Sequence, residues 1–224
     1  MTAASSDGLG AWAGQKILIA VAHPDDEAIA CGGTIARAAA LGCQCRVLLP
    51  FRRCDPRGRN PWQALIGAFE RSCDTLGAVP VLPAHLIDER RAETDLAEVH
   101  DLIVPEVEWA DRVLTHWWGD ANQVHRGLSR AVEVATRPFR RRRDVLLFEV
   151  ATSTDQVFSN AFTPNAFVLL KAAHVEAKCA AMEQYSTEFE PGRLPDDLRS
   201  KARVRGAEAG TVYAEAFAMA RTFL

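Results

Sequence analysis

"KILIAVAHPDDEAIACGGTIARAAALGCQCRVLLPF", residues Lys16–Phe51, sets the fold. Lys16 to Ala22 is a short continuous apolar run rich in Ile and Val, the mark of a strand buried on both faces. An acidic loop follows. "EAIACGGTIARAAALG" then reads as a helix that ends near Gly42. "CRVLLPF", Cys45–Phe51, is a second strand. Strand, loop, helix, strand is a βαβ unit, which predicts a parallel sheet with a right-handed crossover.

The alternation continues to the end of the chain. "RRCDPRGRNP" (Arg52–Pro61) is a breaker-rich loop, and "WQALIGAFERSCDTLGA" returns to helix. "VPVLPAHLID" is extended between prolines, and "TDLAEVHDLIVPEVE" is a helix broken near Pro105. "DRVLTHWW" is a buried strand, followed by the amphipathic helix "NQVHRGLSRAVEVATRP". "DVLLFEV" and "NAFVLL" are further strands. "AHVEAKCAAMEQY" and a C-terminal helix up to Leu224 complete the reading. This pattern predicts an α/β fold: an open, mostly parallel sheet with helices on both faces. One domain is expected over residues 1–224, with residues 1–14 a loose Ala/Ser/Gly-rich lead.

Composition narrows the function classes. Of 224 residues, 48% are apolar, enough for a sizeable core. The net charge of −3 gives no general attraction to nucleic acid or anionic membrane. The basic run "RPFRRRR" (Arg137–Arg143) reads as a solvated loop. No apolar stretch is long enough to span a bilayer, and no signal peptide is apparent. Six cysteines without a C-x-x-C pair fit reduced thiols in a cytoplasmic protein.

In open α/β sheets, ligands bind beyond the carboxyl ends of strands. Two charged segments fall there: "HPDDE" after the first strand and "THWWGDANQVH" after a later one. His23, Asp26 and His125 form a catalytic-type zinc set, two imidazoles and a carboxylate with a fourth position left for water. Asp25 is placed to take a proton from that water. The bland reading stands beside it: H-x-x-D also arises by chance, and three acids suit a helix N-terminus.

These residues resemble the PIG-L/LmbE-like zinc-dependent N-deacetylases. "AHPDDEAIACGG" matches that family's A-H-P-D-D-E and G-G signature in full. "THWWGDANQVHRGLSRAVEVATRP" is similar to its second block, T-H-x-x-G-D-x-N-x-D-H-R then A-x-x-A-x-R-P. "EVATSTDQVFSNAFTPN" resembles a third block of one branch, E-V-x-S-S-T-[ED]-W then F-x-P-N, and "MEQYSTEFE…RGAEAGTVYAEAFAMAR" resembles that branch's ending. The resemblance implies a Rossmann-like fold and hydrolysis of an N-acyl group, usually acetyl, from a small amino sugar or its conjugate. It implies Zn2+ held by His23, Asp26 and His125, with Asp25 as general base, and a possible homo-oligomer.

Departures from the pattern qualify this. Val124 stands where the family places an Asp before the last histidine ligand; its absence implies a weaker metal site or an altered rate, with Asp120 as the candidate replacement. Asn122 replaces a histidine that assists the oxyanion or the leaving group in many members; it donates a hydrogen bond but transfers no proton. Thr152 and Gln156 replace the usual Ser and Trp of the third block. His116 is a pocket residue or a structural one at its strand end, and ranks with Asp25 and Asn122 as a catalytic candidate. Arg52, Arg53, Asp120, Ser153 and Thr154 are the candidates for substrate contact, with Trp117 and Trp118 either a sugar platform or core. Glu27 orients the loop, and Gly32 and Gly33 let the helix approach the sheet closely. A different amide or thiol conjugate as substrate, or a non-catalytic binding protein, are the alternatives.

Overall fold

The computed structural model describes residues 8–54, 61–158 and 160–223. Residues 1–7 of the expected loose lead and 55–60 of the breaker-rich loop lie outside them. A seven-stranded sheet carries the order β4-β2-β1-β6-β7-β9-β8. Its central strands are β1 (Lys16–Ala20), β2 (Gln44–Leu48), β6 (Arg112–His116) and β7 (Asp144–Phe148). β4 (Val79–Val81), β8 (Ala166–Leu170) and β9 (Tyr213–Arg221) complete it. β3 (Phe51–Arg52) and β5 (Ile87–Asp88) form a separate two-stranded ribbon, so the predicted second strand stops at Leu48 and resumes after Pro50 in another sheet.

β1 is buried on both faces, as its sequence predicts. Ile17, Ile19 and Val21 enter one apolar cluster; Leu18, Ala20 and Ala22 enter the other. The first cluster lies under α1 (Asp26–Ala40), α2 (Trp62–Leu76), α5 (Ala172–Glu183) and α6 (Pro195–Glu208). The second lies under α3 (Leu96–Trp109) and α4 (Gln123–Ala135). β1 pairs in parallel with β2 on one side and β6 on the other, so the chain direction across the sheet reverses between β1 and β6. That gap is the topological switch point where open α/β sheets bind ligands.

Three expectations are corrected. The C-terminal segment is not helix to its end: after α6 it becomes β9, inserted antiparallel between β7 and β8. Its alanines favour helix, but two flanking strands offer it hydrogen bonds and a buried slot, and tertiary context overrides propensity. The sheet is therefore mostly parallel with an antiparallel margin. Second, α3 runs through Pro105 without breaking. Pro105 sits on the exposed side, where the carbonyl it frees meets water, while Val99, Ile103 and Val107 stay packed on the sheet. Third, the described part of the lead is not loose: Gly8–Trp12 is a 3₁₀ turn, and buried Trp12 packs in the core. The basic run is only partly solvated, since buried Arg143 donates to the Ala110 carbonyl. All six cysteines are free, and no described helix is long and apolar enough to cross a membrane.

Helix α1 carries the acidic loop and is broken. Cys31 leaves helical geometry (φ −142°, ψ 22°). Glu215 of β9 accepts the N–H groups of Gly33 (3.0 Å) and Thr34 (2.6 Å), while Lys178 of α5 donates to the Ile29 carbonyl (2.8 Å) and to Glu215. The glycine pair is needed here. A Cβ on Gly33 would lie 2.5 Å from Leu170 and 3.3 Å from Glu215 Oε1, and one on Gly32 would lie 3.1 Å from Lys178. Both charges of the pair are buried, so removing one strands the other. Lys178→Met is expected to cost about 3–5 kcal/mol of stability in urea unfolding; a loss under about 1 kcal/mol would contradict this role.

Candidate metal centre

The two loops meet because their strands are neighbours. Ala22 N–H donates to His116 Nε2 at 3.0 Å, stitching the end of β1 to the end of β6. Pro24 turns the chain, and His23 N–H donates to Asp26 Oδ2 at 2.8 Å. On the partner loop, Asn122 caps α4 by accepting Val124 N–H at 2.8 Å, which sets His125 in the first helical turn.

His23 Nδ1, His125 Nε2 and Asp26 Oδ2 converge. The nitrogens are 3.2 Å apart, and the carboxylate oxygen lies 3.4 Å from His23 and 3.5 Å from His125. Ligand atoms about 2.0–2.1 Å from a tetrahedral zinc lie about 3.3 Å apart, so the donor set fits such an ion. A carboxylate backs each ring. Glu89 Oε2 is 3.3 Å from His23 Nε2, and Asp120 Oδ1 is 3.2 Å from His125 Nδ1. Placing the ring protons on those sides leaves the lone pairs of Nδ1 and Nε2 facing the centre, the usual support for a metal-binding histidine. Burial lowers the pKa of His23, but Asp26 and Glu89 outweigh it and hold the ring up at about 9. The site is thus built to attract positive charge.

Val124 offers His125 no carboxylate; the one beside His125 Nδ1 is that of Asp120. Burial pushes Asp120 up, yet His125, Ser153 and Thr154 outweigh this and hold it at about 2. The Ser153 and Thr154 hydroxyls both donate to Asp120, and neither residue lines the cavity in front of the metal set. Val124 packs into the apolar cluster beneath α4.

His116 is fully buried behind the set, stacked on His125 with ring centroids 3.9 Å apart, and burial holds it neutral. The cavity, about 320 Å³, is lined by His23, Asp25, Asp26, Asn122, His125 and Arg193, with Arg53 at its edge. Arg53 and Arg193 also line an adjoining cavity of about 720 Å³, which Arg52 and Trp62 enter as well. Trp117 is buried against Phe162, and Trp118 lies over a different surface; neither reaches this cavity.

Asp25 has left-handed backbone geometry (φ 103°), strained for a residue with a side chain, and is only 2% exposed. Its carboxyl is pushed up to about 8, mainly by burial and then by Asp26. Glu27 holds the loop from behind: Oε1 accepts Ser72 (2.6 Å) and Tyr185 (2.7 Å) hydroxyls, and Oε2 accepts the Asp25 N–H (3.2 Å). Two residues escaped the sequence reading. Glu89 sits in a plain charged run after β5, and Arg193 in a Pro-Gly turn between helices; neither carries a spacing signal.

The PIG-L family profile, described as GlcNAc-PI de-N-acetylase, matches residues 18–136, a span that holds both ligand loops. The chain belongs to the PIG-L family. No protein of curated function matches it significantly in sequence. Among solved structures, it is similar to GalB, the 4-carboxy-2-hydroxymuconate hydratase of Pseudomonas putida KT2440, at TM-score 0.72 and 20% identity, covering 94% of this chain and 98% of GalB. It is similar to the zinc-inhibited form of teicoplanin deacetylase Orf2 at TM-score 0.70 and 18% identity, covering 90% and 96%. It is also similar to N,N'-diacetylchitobiose deacetylase from Pyrococcus horikoshii at TM-score 0.63 and 17% identity, covering 91% and 82%. At these identities the likeness is one of fold. This PIG-L chain, after treatment with a chelator, is expected to gain stability logarithmically with added Zn2+ above Kd, by about 2.7 kcal/mol at a hundred times Kd. Asp26→Ala should abolish the gain in a thermal shift; an equal gain in the variant would contradict the ligand set.

Proposed function

We propose that this chain is a zinc-dependent hydrolase that removes an N-acyl group, acetyl in the first instance, from a small amino sugar or amino-sugar conjugate. The observation that carries the reading is the His23–Asp26–His125 set beside a buried, strained Asp25 at the switch point of the sheet. Family membership supports amide hydrolysis. The hydratase among the structural relatives supports only the fold, because one fold hosts several chemistries.

When bound, zinc supplies Lewis acidity that polarises a carbonyl and makes water more acidic. The protein's own groups do the rest. Asp25, which lines the cavity beside the metal set, takes the proton of the attacking water and returns it to the leaving amine. Asn122 spends its side-chain oxygen on capping α4, leaving its amide N–H groups to bind the acyl oxygen as charge develops there. His116, neutral and fully buried, acts in this reading by holding Ala22 and His125 rather than by touching substrate. Arg53, which lines both cavities and pairs with Glu188, is the candidate for binding sugar hydroxyls in this reading. Charge balance and free cysteines support a cytoplasmic setting. The non-catalytic alternative draws its sequence support from Val124, and the Asp120 carboxylate 3.2 Å from His125 Nδ1 favours the catalytic reading over it.

Asp25→Asn is expected to lower hydrolysis of N-acetyl amino sugars by about 10²–10⁴-fold while zinc content stays near that of the unsubstituted protein. Free-amine release and metal analysis on one preparation check this. Full activity in Asp25→Asn, or in protein stripped of metal, would overturn the reading.

A further inference from the structure

Arg193 reaches the reaction cavity from a turn far along the chain. Its Nη1 donates to Asp25 Oδ2 at 3.2 Å, and its Nε donates to Thr152 Oγ1 at 2.6 Å. Both partners are strained. Among the described residues, Asp25 (φ 103°), Thr152 (φ 67°) and Asn160 (φ 57°) are the non-glycine residues with positive φ, and one guanidinium bridges the first two. For a β-branched residue such as Thr152 this geometry is an outlier, and such strain persists where surrounding structure over-determines it.

The turn that carries Arg193 is fitted to the same point. Gly192 has φ 90°, and a Cβ on it would lie 2.6 Å from Thr152 Cγ2. Gly192 and Leu194 N–H groups donate to Asp197 Oδ2 at 2.9 and 3.1 Å, and Arg193 N–H to the Glu190 carbonyl at 2.9 Å. Three segments distant in sequence therefore meet at the Asp25 carboxylate through one side chain. A guanidinium held at Nε has a fixed plane, and its Nη1–H then has a fixed direction, which an ammonium does not.

We propose that Arg193 is a positioning residue that fixes the Asp25 carboxylate in the reaction cavity, and that Thr152 fixes Arg193 in turn. The proposal rests on Asp25 being the base. Arg193→Gln and Arg193→Lys should both lower kcat by about 20-fold or more, with KM within about threefold and metal content unchanged. The Lys variant keeps the charge, so its failure to rescue separates direction from charge. Thr152→Val keeps the shape and removes the acceptor; it should lower kcat about fivefold and add nothing to Arg193→Gln.

A readout independent of activity uses 15N NMR of arginine side chains in metal-free protein. The Arg193 Nε–H should be protected from exchange, and Thr152→Val should remove the protection. An Arg193→Gln enzyme with raised KM and unchanged kcat, full rescue by Lys, or an unprotected Nε–H in the unsubstituted protein would each overturn the proposal. Protection as predicted in a protein that hydrolyses no amide would instead overturn the function proposed above and leave the Arg193–Thr152 contact standing.

Discussion

Three lone-pair-bearing atoms, two imidazole nitrogens and a carboxylate oxygen, are held 3.2–3.5 Å from one another in a buried site. With Glu89 and Asp120 behind the two rings, neither ring proton is available to the centre. Such a cluster is unfavourable unless a positive charge sits among its members. Asp26 and Glu89 express the same demand on His23, raising its ring above the usual imidazole range despite its burial. A divalent cation satisfies the same demand with all three donors at once. The rest of the structure can be understood as the means of holding this arrangement together.

The scaffold does so by convergence rather than by any single strong contact. β1 and β6 lie side by side at the switch point, so their carboxyl-end loops face each other. The first loop is short and strained, and Glu27 pins it from within the core. Helix α1, which begins in that loop, is broken after one and a half turns. Lys178 and Glu215 satisfy the freed carbonyl and N–H groups. α5 and β9 thereby support a site to which they contribute no ligand, and the glycine pair of the opening motif is explained by how close they come.

The first half of the site was legible in sequence for a physical reason. A buried strand announces itself by a continuous apolar run, and the residues after it fall on the sheet edge whatever the remaining topology. His23, Asp25 and Asp26 follow directly, and His125 by the same logic from β6. What was not legible depends on tertiary placement. β9 falls where the sequence predicts a C-terminal helix, although Tyr213, Glu215, Phe217 and Met219 alternate with small residues in the period of a strand. Ser153 and Thr154 are candidates for substrate contact by sequence, but their hydroxyls turn onto Asp120, a partner 33 and 34 residues away. Glu89 and Arg193 reach the site only because a two-residue ribbon and a Pro-Gly turn bring them there.

The central claim is that His23, Asp26 and His125 share one metal ion. The most direct measurement is X-ray absorption at the zinc edge on protein reconstituted with one equivalent of Zn2+. The account predicts four or five N/O neighbours at about 2.0–2.1 Å with the outer-shell scattering of two imidazoles. A spectrum without imidazole scattering, or with cysteine sulfur at about 2.3 Å, would contradict it.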